Sequence, residues 1–276
     1  MQQLTIGLTF GILISLASYR ARALSRSGAY AAALSGGLVF GLGGLPWATL
    51  LLAFFISSSL LSRLFSKQKA GLGEKFSKGS QRDWAQVLAN GGLGALLAVV
   101  YALLPGQVWP WLAFAGAMAA VNADTWATEL GVLNRTPPRL ITTGKVVERG
   151  ASGGISLLGT LSGLGGAALI ALCGAVFYHQ QAIPPGNLPI FILSTTLGGL
   201  AGTTFDSLLG ATVQAIYYCP TCQKETERHP AHSCGTPTRQ VRGWSWLDND
   251  LVNFICSLVG ALVGALAAVT IWGMLY

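Results

Sequence analysis

The sequence predicts an all-α integral membrane protein of about eight transmembrane helices, with both termini outside and a small metal-binding loop on the inner side. Three observations predict it. Hydrophobic residues make up 52% of the 276-residue chain and charged residues only 10%, against roughly 25% in a soluble domain. Apolar runs of spanning length recur from one end of the chain to the other. Every Lys and Arg falls in alternate loops between those runs. The net charge of +7 therefore belongs to membrane topology, which argues against a nucleic-acid partner.

The runs are Leu4–Tyr19, Gly28–Leu45, Pro46–Leu64, Asp83–Leu104, Val108–Leu130, Ser152–Tyr178, Leu188–Ala215 and Leu251–Tyr276. The first has no basic residue before it, so it reads as a span, not a cleaved signal peptide. Thirty-six glycines suit helices whose backbones approach closely in a bilayer. Arg20, Arg22 and Arg26 follow the first run. Arg63 stands at the inner end of the third, Lys67, Lys69, Lys75, Lys78 and Arg82 follow it, and Arg135, Arg139, Lys145 and Arg149 follow the fifth. Lys224, Arg228, Arg239 and Arg242 follow the seventh. These are all 17 cations, and the positive-inside rule makes their loops cytoplasmic. Residues 1–276 form one polytopic domain, with 216–246 a cytoplasmic loop inside it.

The acids gather on the same side. Glu74, Glu148, Glu225 and Glu227 lie in the charged loops, and Asp83 opens the fourth run. Asp124 and Glu129, Asp206, and Asp248 with Asp250 sit at the inner ends of the fifth, seventh and eighth runs. Carboxylates inside a membrane are costly and default to function, although Asp248 and Asp250 also stand where helix N-caps belong. Helical spacing gathers polar residues into one stripe per helix. Asn122, Thr125 and Glu129 align on the fifth run, with Asp124 and Thr128 beside them. Thr203, Asp206, Ser207 and Gly210 align on the seventh, and Asp250, Asn253 and Ser257 on the eighth. Such oxygens are the ligand set of Mg²⁺, held here by Asp124, Asp206 and Asp250. Asn90, Asn122, Asp248, Asn249 and Asn253 complete the polar shell.

Between the fifth and sixth runs, Thr142-Thr143-Gly144-Lys145-Val146-Val147-Glu148-Arg149-Gly150-Ala151-Ser152-Gly153-Gly154 offers cations, hydroxyls and a Gly-rich helix start. Helix N-termini bind anions. The plain alternative is an ordinary positive-inside loop. Beside the carboxylates it reads as a phosphate site, with Lys145 and Arg149 neutralising charge. Metal with phosphate implies phosphoryl or nucleotidyl transfer. Ser152, Ser156, Gly159, Gly163 and Gly166 form a small-residue face that reads as helix packing.

Cys219-Pro220-Thr221-Cys222, followed by His229, His232 and Cys234, has structural-zinc spacing in a loop where disulfides do not persist. The favoured ligands are Cys219, Cys222, His232 and Cys234, with His229 the alternative fourth. Cys173 and Cys256 read as packing residues, and His179 lies at the outer side.

Several stretches resemble one family. Asn122-Ala123-Asp124-Thr125-Trp126-Ala127-Thr128-Glu129-Leu130-Gly131 is similar to the signature of the transmembrane-protein-nineteen family, also described as domain of unknown function ninety-two. So are Gln86-Val87-Leu88-Ala89-Asn90-Gly91-Gly92, the Thr142–Ser156 loop, Asp206-Ser207-Leu208-Leu209-Gly210-Ala211-Thr212 and Leu247-Asp248-Asn249-Asp250. The resemblance implies the activity of that family's phytyl-phosphate kinases, which make isoprenoid diphosphates for tocopherol and related quinones. It also implies a nucleoside-triphosphate donor, with CTP suggested by analogy to other membrane lipid kinases. The expected protein is thus a cytoplasm-facing isoprenoid-phosphate kinase among membrane lipids. Its rivals are a CTP-dependent lipid-phosphate cytidylyltransferase and a membrane transporter.

Overall fold

The computed structural model describes residues 2–65, 81–181 and 183–275. Glu74 and the expected loop cations Lys67, Lys69, Lys75 and Lys78 lie outside the described residues. Among the described residues the helices are α1 (Gln2–Arg20), α2 (Arg26–Leu64), α3 (Trp84–Leu103), α4 (Trp109–Gly131), α5 (Leu157–Ala175), α6 (Leu188–Thr212) and α7 (Asn249–Leu275). Short strands β1 (Arg139–Leu140) and β2 (Gly154–Ile155) lie between α4 and α5. Strands β3 (Ile216–Cys219), β4 (Lys224–Thr226) and β5 (Arg239–Arg242) lie between α6 and α7. Five helices, α2, α3, α5, α6 and α7, are long and apolar enough to cross a membrane.

Helix α2 has 39 residues. A straight helix of that length would run about 58 Å, twice the hydrocarbon core. It is not straight. Gly44 breaks it at φ 76°, ψ −163°, two residues before Pro46. Glycine adopts that conformation without strain, and Pro46 lacks the N–H that would continue the ladder. The arms fold together: a Cβ on Gly36 would lie 3.9 Å from Leu51 Cδ2, whereas a straight helix would part those residues by about 22 Å. The second and third predicted runs are the two arms. The first and fifth runs correspond to α1 and α4, which are helical but not among the five apolar spans.

Helix α4 is buried without a break from Pro110 to Ala123, and packs against α2, α3, α5, α6 and α7. A helix shielded from lipid on all sides need not be strongly apolar itself. Small residues permit the crowding. A Cβ on Gly116 would collide with the Gly260 carbonyl, and one on Gly202 with Ala120. Gly159, Gly163 and Gly166 of α5 sit against the α4 carbonyls of Ala127, Ala123 and Asn122, which is the close packing expected of that face. Away from the carboxylates, Trp47 stacks on Phe114 at 4.3 Å and Trp111 on Phe191 at 6.1 Å.

Strands β1 and β2 pair antiparallel, and β4-β3-β5 form a three-stranded sheet. The second insert leaves and returns at one point, where Ala215 N donates to Leu247 O at 2.8 Å and Trp244 N to Val213 O at 2.8 Å. Exposed Trp244 and Trp246 stack at 5.3 Å near that point, as interfacial aromatics do.

Candidate active site

The ends of α2, α3, α4, α5, α6 and α7, together with the two inserts, line a cavity of about 750 Å³. From α4 come Asp124, Thr125, Thr128 and Glu129, and from α6 come Thr203, Asp206 and Ser207. Thr203 Oγ1 donates to Asp124 Oδ1 at 3.2 Å, joining the two helices at the carboxylate level. Asp206 Oδ2 is buried and, among the described residues, has no hydrogen-bond partner. Thr125 bonds back to Val121 O at 2.9 Å, so its hydroxyl is engaged by its own helix.

Helix α3 starts on a capping box. Gln86 N donates to Asp83 Oδ1 at 3.0 Å, and Asp83 N to Gln86 Oε1 at 3.2 Å. That start sets Gln86 and Asn90 in the cavity wall, with Asn90 Nδ2 bonded to Gln86 O at 2.9 Å. Just before it stands Arg82, which the sequence reading treated only as a topology cation. Its guanidinium lies 5.5 Å over both Phe54 and Phe55 and donates to Ser58 Oγ at 2.9 Å. Burial lowers the Arg82 pKa, and the charge of Glu129 opposes that shift. Glu129 is itself buried and accepts from Ser62 Oγ at 2.8 Å. Arg82 and Ser62 both line the cavity.

The Gly-rich loop is not a helix start. Helix α5 begins at Leu157, capped by Ser156, whose Oγ accepts from Gly159 N at 3.1 Å. Gly154 is tied into the β1–β2 pair instead. Gly153 has φ 80°, and a Cβ there would collide with the Ala211 backbone. Ser152, Gly153 and Arg149 line the cavity. Arg149 also donates to Arg135 O at 2.7 Å. Thr143, Gly144 and Lys145 are exposed on a separate turn, closed by Leu140 N to Lys145 O at 2.8 Å, and are not in the cavity wall. The turn's own hydrogen bonds hold them away from it.

Helix α7 contributes Asn249 and Asn253. Asp248 caps the helix, accepting from Leu251 N at 3.0 Å. Asp250 is half-buried in the first turn and is not among the residues that line the cavity. Asn122 is wholly buried and also stands outside the wall. Its amide donates to Gly166 O at 2.8 Å and accepts from Ser57 Oγ at 3.0 Å, so it ties α4 to α5 and α2. Trp126 Nε1 donates to the same Ser57 hydroxyl at 3.2 Å.

Glu227 was missed by the sequence reading. It follows β4, lines the cavity, and accepts at Oε1 from Ser152 Oγ at 2.9 Å and Gln214 Nε2 at 3.0 Å. Its charged neighbours Lys224, Glu225 and Arg228 gave it no distinguishing signal.

The family model described as "Integral membrane protein DUF92" matches residues 9–261. The chain belongs to this family. The DUF92 match spans every element that lines the cavity. Similar DUF92-like chains include "Protein PGR" of Arabidopsis thaliana, 32% identical over 94% of this chain and 94% of its own length. "Uncharacterized membrane protein MJ0933" of Methanocaldococcus jannaschii is also 32% identical, over 94% of this chain and 92% of its own. "Protein VTE6, chloroplastic" of Arabidopsis thaliana is 27% identical over 88% of this chain and 65% of its own. No solved structure is significantly similar.

Within the DUF92 match lies a second constellation. The ligating atoms of Cys219, Cys222, His232 and Cys234 all lie within 4.8 Å of one another and could hold a metal ion. Cys219 Sγ is 3.6 Å from Cys234 Sγ, and His232 Nδ1 is 3.4 Å from Cys234 Sγ. A zinc tetrahedron with ordinary bond lengths has edges of about 3.5–3.8 Å. Hydrogen bonding to Thr236, then to His232, lowers the Cys234 thiol to about 6, while Cys234 pushes Cys222 up to about 11. His229 stacks on Tyr217 at 4.6 Å and is not part of the group.

Proposed function

We propose that this chain is a membrane isoprenoid-phosphate kinase, moving a phosphoryl group from a nucleoside triphosphate to a polyprenyl monophosphate at the cytoplasmic face. The supporting observation is the cavity in which Asp124 and Asp206, from two membrane helices, meet Arg149 of the overlying loop. CTP as donor rests on analogy with other membrane lipid kinases, and a phytyl-type acceptor on the family resemblance alone. In this reading the chain crosses the bilayer about eight times, with both arms of α2, α1 and α4 counted, and both termini outside. The Cys219, Cys222, His232 and Cys234 group holds a structural zinc that braces the second insert.

The cavity's donor set fits Mg²⁺. It is built of carboxylate, amide and hydroxyl oxygens, and Asp206 Oδ2 lies buried with no hydrogen-bond partner among the described residues. Asp124 and Asp206 would hold the ion, with Asn249 and Asn253 beside them. When bound, Mg²⁺ neutralises charge on the transferring phosphoryl group. Arg149, at the edge where loop and helices meet, pairs with phosphate oxygens. Arg82 offsets the charge of Glu129 in the cavity wall. The acceptor is a phosphate already ionised near neutral pH, so no side chain is required as a strong base. Positioning and charge complementarity supply most of the rate.

The test is the purified chain in lipid nanodiscs with Mg²⁺, radiolabelled nucleoside triphosphates and a panel of isoprenyl monophosphates. A labelled lipid diphosphate with release of nucleoside diphosphate supports the kinase. Release of pyrophosphate would mark cytidylyl transfer instead, and no labelled lipid with any acceptor would refute both.

A further inference from the structure

The cation site proposed above was expected to draw a third carboxylate from Asp250. The structure places amides, not Asp250, on the α7 face of the cavity. Another acid occupies the wall. Glu227 reaches it from the second insert, its Oε1 fixed by Ser152 on one side and Gln214 on the other. Asp124, Asp206 and Glu227 all line the same cavity. Three carboxylates therefore share one electrostatic neighbourhood in a wall built largely of protein. Like charges so placed repel strongly at low dielectric, and a bound cation relieves them. Asp206 Oδ2 is buried and has no hydrogen-bond partner among the described residues.

We infer that Glu227 is the third carboxylate ligand of the divalent-cation site, delivered into the membrane cavity by the metal-binding insert. The inference rests on the cation-dependent reading proposed above. The insert is built to set this residue's position. Cys219 ends β3, Cys222 lies in the turn, and β4 returns in register with Cys219 opposite Lys224 and Tyr217 opposite Thr226. Glu227 is the next residue after that pairing. A metal holding Cys219 and Cys222 to His232 and Cys234 thus fixes the hairpin from which Glu227 projects. One metal group braces the arm that completes a second, chemically harder cation site.

The experiment is Mn²⁺ binding to the detergent-solubilised full chain, followed by electron paramagnetic resonance. Wild type is compared with Glu227→Gln, Glu227→Asp, Glu225→Gln and Asp206→Asn, with zinc content measured on each. Glu227→Gln is expected to weaken Mn²⁺ at least about 10-fold, as loss of a ligand does, while keeping its zinc. Glu227→Asp should recover part of the affinity. Glu225→Gln, an exposed neighbour on β4, should match wild type. If Glu227→Gln binds Mn²⁺ within about twofold of wild type while Asp206→Asn does not bind it, the inference is overturned and the two-aspartate site stands. If Asp206→Asn also binds as wild type, the cation site itself is wrong and both readings fall.

Discussion

Helix α4 holds two regions that meet at Ala123. From Pro110 to Ala123 every residue is buried, and the polar Asn122 spends its amide on Gly166 and Ser57. From Asp124 onward four polar side chains line a cavity. Asn122 and Asp124 are two residues apart and equally unusual inside a membrane. The difference teaches that polarity within a bilayer marks a site only where the fold leaves room beside it. Where neighbouring backbones close in, as Gly166 does on Asn122, the same polarity is a packing bond.

The sharpest way to break this comparison is to neutralise each side in turn. Asp124→Asn or Asp206→Asn should lower phosphoryl transfer by about 100-fold or more, since each removes charge at the reacting phosphates. The unfolding temperature in detergent should stay near that of wild type. A second comparison sits in the first insert, between two cations of one loop. Arg149→Ala, in the cavity wall, should cost about 10-fold in transfer rate, and Lys145→Ala, on its exposed turn, no more than about twofold. Equal losses would restore Lys145 to the site. For the metal group, Cys222→Ser should remove about one zinc per chain by elemental analysis and lower transfer several-fold through the displaced Glu227, without preventing membrane insertion. The smallest effect belongs to the packing side. Asn122→Ala should destabilise the solubilised protein by about 1 kcal/mol, the usual worth of a buried hydrogen bond in a membrane helix pair, read as a modest fall in unfolding temperature with most activity retained.

Much of this was legible in the sequence, for identifiable reasons. The Gly44-Leu45-Pro46 break divided two apolar runs because both residues act on the backbone locally. The polar stripe of α6 was readable because Asp206 and Ser207 interrupt an otherwise apolar helix. The three cysteines of the metal group follow from spacing, which left His232 and His229 as alternatives for the fourth ligand until the fold brought His232 beside them. On α4 the periodicity could not separate Asn122 from Asp124, because a helix buried all round presents every face to protein. Asp248 and Asp250 were ambiguous for the same local reason: capping and ligation use the same side chain at the same helix end. Arg82 and Glu227 carried no signal, since each looks like one more loop charge until Phe54, Phe55, Ser152 and Gln214 are brought beside it by the tertiary fold.

The central claim is that the cavity beside Asp124, and not the polar run of α4 as a whole, carries the chemistry. It is tested most directly by measuring isoprenyl diphosphate formation at saturating Mg²⁺ and nucleotide for wild type, Asp124→Asn and Asn122→Ala side by side. The account predicts that Asp124→Asn falls by about 100-fold or more while Asn122→Ala stays within about threefold of wild type. Equal losses in both, or an Asp124→Asn variant as active as wild type, would contradict it.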